Sequence, residues 1–316
     1  MKPALVVVGS LNMDFVVSVD RLPAPGETVL GQDFKMLPGG KGANQACAAG
    51  KLGGRSVAVR MIGRVGYDVF ADHLKASLSA AGVDVTFIHA TRAQATGVAL
   101  IWVDRQGQNS IVVASGANHE LAAADVEAMR RTLRGASLAL FQLETPLDTV
   151  EAALKLAREE GATTVLDPAP AQPLPPSLLA QVDILTPNES EALLLCGRPA
   201  SRVTLADAPA LAGELRKLGP KTVILKMGDQ GCLLLDDAGP RRFPAFTVEV
   251  RDTTAAGDTF NAALAVGLAE GKRMDEAIPF ANAAAAISVT RLGAQASAPS
   301  RAEVDVLLSS SPAFRQ

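Results

Sequence analysis

Near its C-terminal end the chain reads RDTTAAGDTF, residues 251 to 260, just ahead of a long alanine-rich stretch with helical periodicity. A helix N-terminus exposes unpaired backbone N–H groups at the positive end of the helix dipole, and small residues there let an anion approach the backbone closely. Ala255, Ala256 and Gly257 can therefore form an anion hole. A carboxylate beside such a hole repels a bound phosphate. Asp258 either caps or charge-matches the helix start, or it removes the proton from a hydroxyl that attacks the anion. The local residues leave both roles open.

Other chemistries are excluded by inspection. Gly40-Lys41, Gly50-Lys51 and Gly271-Lys272 are followed by Gly, Leu and Arg, so there is no Walker-type phosphate loop. PGGKGANQ, 38 to 45, lacks the third glycine and the βαβ order of a dinucleotide fold. His73, His89 and His119 fit no metal-ligand spacing, and no G-x-S-x-G elbow is present. Cys47, Cys196 and Cys232 lie far apart and read as idle thiols. A net charge of −3 without a long basic run gives no footprint for nucleic acid or an anionic membrane, and no apolar stretch is long enough to span a bilayer. MKPALVVVGS lacks the features of a signal peptide, so a cytoplasmic protein is expected.

The elements that must hold such a helix start in place follow from the hydrophobic pattern. Continuous apolar runs at 4–9, 56–63, 137–144, 163–167, 182–188 and 221–228 have the length and character of strands covered on both faces. Helical patterns alternate with them near 41–52, 67–81, 122–133, 148–160, 204–218, 257–270 and 274–290. This alternation predicts an α/β fold, a doubly wound and mostly parallel sheet flanked by helices. Segments 14–37 and 96–115 instead alternate apolar and polar residues between turn signals, and are expected to pair into one small β-sheet lid. Extra edge strands of the main sheet are the other reading. The main domain then comprises 1–13, 38–95 and 116–316, with ligands bound at the carboxyl ends of its strands.

DTTAAGDTFNAALAVGL and GGKGANQACAAGKLGG closely resemble the C-terminal and N-terminal signatures of the ribokinase-like (PfkB) family of carbohydrate kinases. GSLNMDF, LPAPGET, TGVAL, SGAN, QLETP, DPAPA, DILTPNE and VTRLGAQ stand in the family's order across nearly the whole chain. The resemblance implies a kinase that moves a phosphoryl group from ATP to the 5-hydroxyl of D-ribose, with Asp258 as general base and the 255–257 amides as anion hole. It implies a sugar site made of Asn12, Asp14, Gly39, Gly40, Lys41, Asn44 and Glu144. Amides, carboxylates and an ammonium at successive strand ends suit neighbouring sugar hydroxyls.

For the nucleotide, the resemblance implies Asn188, Gly228, Gly231, Gly257 and Asn282, with Glu191 ordering Mg²⁺ through water. Lys226 and Asp229 stand where the family often has Thr and Ser, and Lys226 could touch a phosphate. His is a frequent alternative at the position of Asn282. A monovalent cation, K⁺, is implied beside the anion hole at Asp252, Thr254, Ser288, Arg291, Gly293 and Ser297, mostly through backbone carbonyls. Nothing accounts for Arg251, where the family is commonly apolar. Deoxyribose, fructose or a nucleoside are alternative acceptors, the last disfavoured by an aromatic content of 4%. A catalytically silent sugar sensor is a further alternative, against which AAGD is intact. A homodimer through the lid is expected from its apolar faces.

Overall fold

Alternate residues of a strand point to opposite faces, so a run such as ALVVV is stable only with an apolar layer on each side. In the computed structural model, which describes residues 2–122 and 125–310, that is its position. The first half contains β1 (Ala4–Val8), β2 (Asn12–Val19), β3 (Gly31–Gly39), α1 (Lys41–Gly53), β4 (Ala58–Gly66), α2 (Val69–Ala80), β5 (Val83–Thr91), β6 (Gly97–Val103) and β7 (Asn109–Ala114). There follow α3 (Val126–Leu133), β8 (Ala136–Phe141), α4 (Leu147–Glu159), β9 (Thr163–Leu166), α5 (Pro176–Leu179), β10 (Ile184–Leu185), α6 (Glu189–Leu195) and α7 (Ala208–Lys217). The chain closes with β11 (Thr222–Lys226), β12 (Cys232–Asp236), β13 (Gly239–Phe243), α8 (Ala256–Ala269), α9 (Met274–Ser288) and α10 (Arg301–Ser310).

Nine strands form the main sheet in the order β13-β12-β11-β10-β9-β8-β1-β4-β5. From β11 to β5 every neighbour is parallel, and β12 and β13 add an antiparallel edge. Leu5 and Val7 of β1 enter one core with α1, α8 and α9, while Val6 and Val8 enter the other with α4 and α7. The doubly wound α/β expectation is borne out, with helices on both faces. A second sheet of four strands, β3-β2-β6-β7, stands apart from it, and both segments that alternate in sequence contribute to it.

Three main-sheet strands lie outside the six apolar runs. β5 alternates in burial like an edge strand, β12 is a five-residue run behind a Gly-rich turn, and β13, GPRRF, carries two arginines. β5 and β13 are the two edges of the sheet, where one side of the strand meets solvent and the apolar signal weakens, whereas β12 lies between β11 and β13 and is a short apolar run close behind β11. Of the predicted helix 122–133, the described part begins at Val126, and residues 123 and 124 lie outside the described residues, as do residue 1 and 311–316 of the predicted main domain. Among the described residues no helix is long and apolar enough to cross a membrane.

Candidate active site

The helix α8 starts where its small residues predict, and its entry is strained. Ala255 sits in the left-handed region at φ 58°, the only non-glycine residue with positive φ among the described residues. Such a conformation costs a β-carbon-bearing residue roughly 1–2 kcal/mol and concentrates at sites where backbone direction matters. Of the three amides expected to form the anion hole, that of Ala256 donates to Thr253 O at 3.2 Å. Among the described residues, no hydrogen-bond acceptor is found for the amides of Ala255, Gly257 and Asp258.

Asp258 is buried and held from α1, which packs along α8. Asn44 Nδ2 donates to its Oδ2 at 3.1 Å and Gln45 Nε2 to its Oδ1 at 3.1 Å. Burial pushes the carboxyl above the ordinary carboxylate range; Lys41 pulls it down, Asp167 pushes it further up, and the Asn44 and Gln45 donors again favour the anion. The Oδ1 atom of Asn44 is buried and has no hydrogen-bond partner among the described residues.

The approach of α1 to β2 depends on glycine. Gly40 has φ 88°, and a β-carbon there would lie 2.7 Å from the amide nitrogen of Asn12; one on Gly39 would lie 2.1 Å from Asp14 Oδ2. Asn12 and Asp14 therefore sit on β2 directly against the start of α1. The Asn12 Oδ1 accepts from Asn118 Nδ2 at 2.8 Å, and Asn118 also bonds both backbone groups of Leu11, so this amide is held from a third segment. Glu144 Oε2 accepts from the Ser10 hydroxyl and from Lys41 N at 3.0 Å, capping a helix that has no cap of its own. Burial, then the charges of Glu144 and Asp258, push Asp14 up to about 7. Burial presses the Lys41 ammonium down, yet Asp258, Asp167, Glu144 and Glu191 together hold it above its usual value. The seven predicted sugar-site residues converge here.

A cleft of about 1150 Å³ opens on the other side of Lys41 and Asp258. Its walls include Asn188, Glu191, Lys226, Gly228, Asp229, Gly231, Asn282 and the Ala255–Asp258 turn, so every predicted nucleotide residue lines one space. Asn188 and Glu191 form a capping box at the start of α6: Glu191 N donates to Asn188 Oδ1 and Asn188 N to Glu191 Oε2, at 2.9 and 2.8 Å. Asn188 Nδ2 also donates to Glu191 Oε1. Each carboxylate oxygen has two lone pairs, so one on each remains for a metal-bound water, and the pair fits Mg²⁺ held through water. Burial pushes the Glu191 carboxyl up while Lys226 pulls it down. Asp229 is exposed at the rim. Burial and then the charge of Asp229 push Glu189 up. Asn282 Nδ2 donates to Pro244 O at 3.0 Å, tying α9 to the loop that borders the cleft.

The predicted cation residues also cluster. Asp252 accepts from Thr254 N at 2.9 Å through one oxygen and from Gly293 N at 2.8 Å through the other, drawing the 252–254 turn to the 290–293 turn. The Ser288 and Ser297 hydroxyls donate to Ala285 O and Ala294 O, and the Arg291 guanidinium pairs with Glu303. Each Asp252 carboxylate oxygen keeps a lone pair, and together with backbone carbonyls of the two turns the carboxylate fits K⁺. Arg251 is exposed, with its amide on Val289 O, and nothing in the structure explains its side chain.

Residues outside the predicted set complete the constellation. Asp167, following β9, lines the cleft, pairs with Lys226 Nζ at 2.9 Å and accepts from Gln45 at 3.0 Å. Gln142 Nε2 donates to Gln45 Oε1 at 2.6 Å. The signals were present as DPAPA and GANQ, but single polar residues at strand ends and helix starts are common caps.

A doubly wound sheet with a buried carboxylate at a helix start, polar groups for a polyol on one side and a cleft on the other, defines a phosphotransferase acting on a small hydroxylated acceptor. Residues 2–301 match the pfkB family carbohydrate kinases. The chain belongs to that family and is an enzyme, a sugar kinase. It is 43% identical over 306 residues to the ribokinase of Haemophilus influenzae, covering 96% of this chain and 97% of that protein. The crystal structure of Thermotoga maritima ribokinase superposes with a TM-score of 0.88 at 40% identity, covering 97% of this chain and 99% of that one. Arabidopsis thaliana ribokinase complexed with ribose and ATP gives 0.89 at 36%, covering 98% and 100%.

Proposed function

We propose that the chain phosphorylates D-ribose at its 5-hydroxyl with ATP. The observation that carries this reading is the position of Asp258, at the junction between the sugar-type polar cluster and the cleft, in a helix entry whose Gly257 lines the cleft. The ribose- and ATP-bound relative with the same fold supports the substrates. Asn12, Asp14, Gly39, Gly40, Lys41, Asn44 and Glu144 grip the sugar; Asp258 removes the proton of the primary hydroxyl, whose oxygen attacks the terminal phosphorus of ATP in line. The amides at Ala255 to Gly257, with the Ala256 amide released from Thr253 O, stabilise the charge that develops on the transferring group. Asn188, Lys226, Gly228, Asp229, Gly231 and Asn282 bound the nucleotide.

Mg²⁺ ordered by Glu191 through water would neutralise phosphate charge, and K⁺ at Asp252, Thr254, Ser288, Arg291, Gly293 and Ser297 would stiffen the 252–257 turn. Segments 14–37 and 96–115 act as a lid that excludes water from the sugar. Phe34, Met36, Leu100 and Val112, which the strand register places on one face of that sheet, are 42–58% exposed, an apolar surface suited to a second copy in a homodimer. Cys47, Cys196 and Cys232 are unpaired thiols, consistent with action in the reducing cytoplasm.

The test is Asp258→Asn assayed for ADP release with ribose. The variant should bind both substrates and lose roughly two to four orders of magnitude in rate, the usual worth of a positioned base. Wild-type turnover in that variant would remove Asp258 from the chemistry.

A further inference from the structure

The structure gives Lys226 a defined place. Its ammonium is 2.9 Å from Asp167 Oδ1, with side-chain exposures of 15% and 4% for the two partners. A β-carbon built on Gly257 would meet Lys226 Nζ at 3.3 Å, so the ammonium lies against the second residue of α8. A single carboxylate partner uses one of its three donors. A buried ion pair is weak evidence for stability, since apolar replacement is often neutral. An ammonium beside helix-start amides, on the wall of a cleft, is instead a composite anion site.

The second oxygen of Asp167 leads elsewhere. Gln45 Nε2 donates to Asp167 Oδ2 at 3.0 Å and to Asp258 Oδ1 at 3.1 Å. A primary amide has two hydrogens, one for each carboxylate, and its orientation is set because Gln142 donates to its Oε1. Lys226, Asp167, Gln45 and Asp258 thus form one connected chain, with a cation at one end and the base at the other.

We propose that Lys226 contacts the transferring phosphoryl group, and that Asp167 is the positioning residue that holds this cation while sharing the Gln45 amide with Asp258. The proposal rests on the phosphotransfer reading above. It is a device for spacing: the cation that meets the phosphate and the carboxylate that meets the hydroxyl are referenced to the same amide. A shift of about 1 Å in such a pair is enough to lower turnover by about two orders of magnitude.

The experiment compares wild type, Lys226→Met, Lys226→Gln, Lys226→Arg, Asp167→Asn and the Lys226→Met/Asp167→Asn double variant. Calorimetry reads adenosine and a nonhydrolysable ATP analogue, and steady-state assays read kcat and the KM for ribose. Lys226→Met and Lys226→Gln should weaken the analogue about 10- to 100-fold and lower kcat about 100-fold, with adenosine affinity and ribose KM within about twofold of wild type. Lys226→Arg should recover part of the loss. The double variant should be no slower than Lys226→Met, because the carboxylate charge serves only to hold the lysine and the asparagine carbonyl still accepts from Gln45. Equal weakening of adenosine and analogue, unchanged analogue affinity, or additive losses in the double variant would each overturn the proposal. A wild-type protein that fails to turn over ribose would count against the phosphotransfer reading instead, while the analogue-to-adenosine ratio would still judge Lys226.

Discussion

Replacing Asp14 by Asn should trade sugar binding for stability, with a sign and size set by the site. Burial and the charges of Glu144 and Asp258 raise the Asp14 carboxyl from 3.8 to about 7 in the folded protein. The native state therefore holds a proton that the unfolded chain releases, and stability falls as pH rises between those two values. The penalty is absent below about pH 4 and complete above about pH 7. At about 1.4 kcal/mol per pKa unit it reaches at most about 4 kcal/mol, and grows by about 3 kcal/mol between about pH 5 and about pH 8. Asparagine has no charge to bury, so Asp14→Asn should gain on wild type by that increment over the same interval. Urea denaturation at both pH values measures it.

The same titration predicts that wild-type kcat/KM for ribose falls about tenfold from about pH 8 to about pH 6, as the accepting carboxylate is protonated. In Asp14→Asn the part of this dependence that Asp14 supplies should vanish along with most of the affinity, leaving only that of the buried base Asp258. A stability gain equal at both pH values, or a loss at about pH 8, would refute the burial and charge argument for Asp14.

Two further predictions test how the site is assembled. Gly40→Ala combines a positive φ with a β-carbon 2.7 Å from Asn12 N, whereas Gly26 has φ 81° and open space around it. Urea titrations should show Gly26→Ala losing about 1 kcal/mol from strain alone and Gly40→Ala about 2–4 kcal/mol. Phe34→Glu places a charge on the apolar surface of the small sheet, where Phe34 is 58% exposed. Sedimentation should show a dimer in wild type and a dissociation constant raised at least about tenfold in the variant. A monomeric wild type at assay concentrations would end the dimer reading.

The parallel core was legible because its strands are buried on both sides and so read as unbroken apolar runs, as ALVVV does in β1. The helix start at Ala256 was legible from AAGD, since small residues ahead of an alanine-rich period mark a helix entry open to an anion. The edge strands β5 and β13 were not, because partial exposure dilutes the pattern on which periodicity depends, and β12 is a short apolar run behind a Gly-rich turn. Asp167 and Gln45 escaped for another reason: their importance lies in the atoms they touch, 122 residues apart in the chain. Local order along the backbone dictates element type, small-residue entry points and the apolar faces that must be covered. Which carboxylate shares an amide with which, how far Lys226 reaches toward Gly257, and how strongly Asp14 resists ionisation depend on distances between segments remote in sequence. Hydrogen bonds and buried charges respond to separations of a few tenths of an ångström, and those are set only when helices and strands pack.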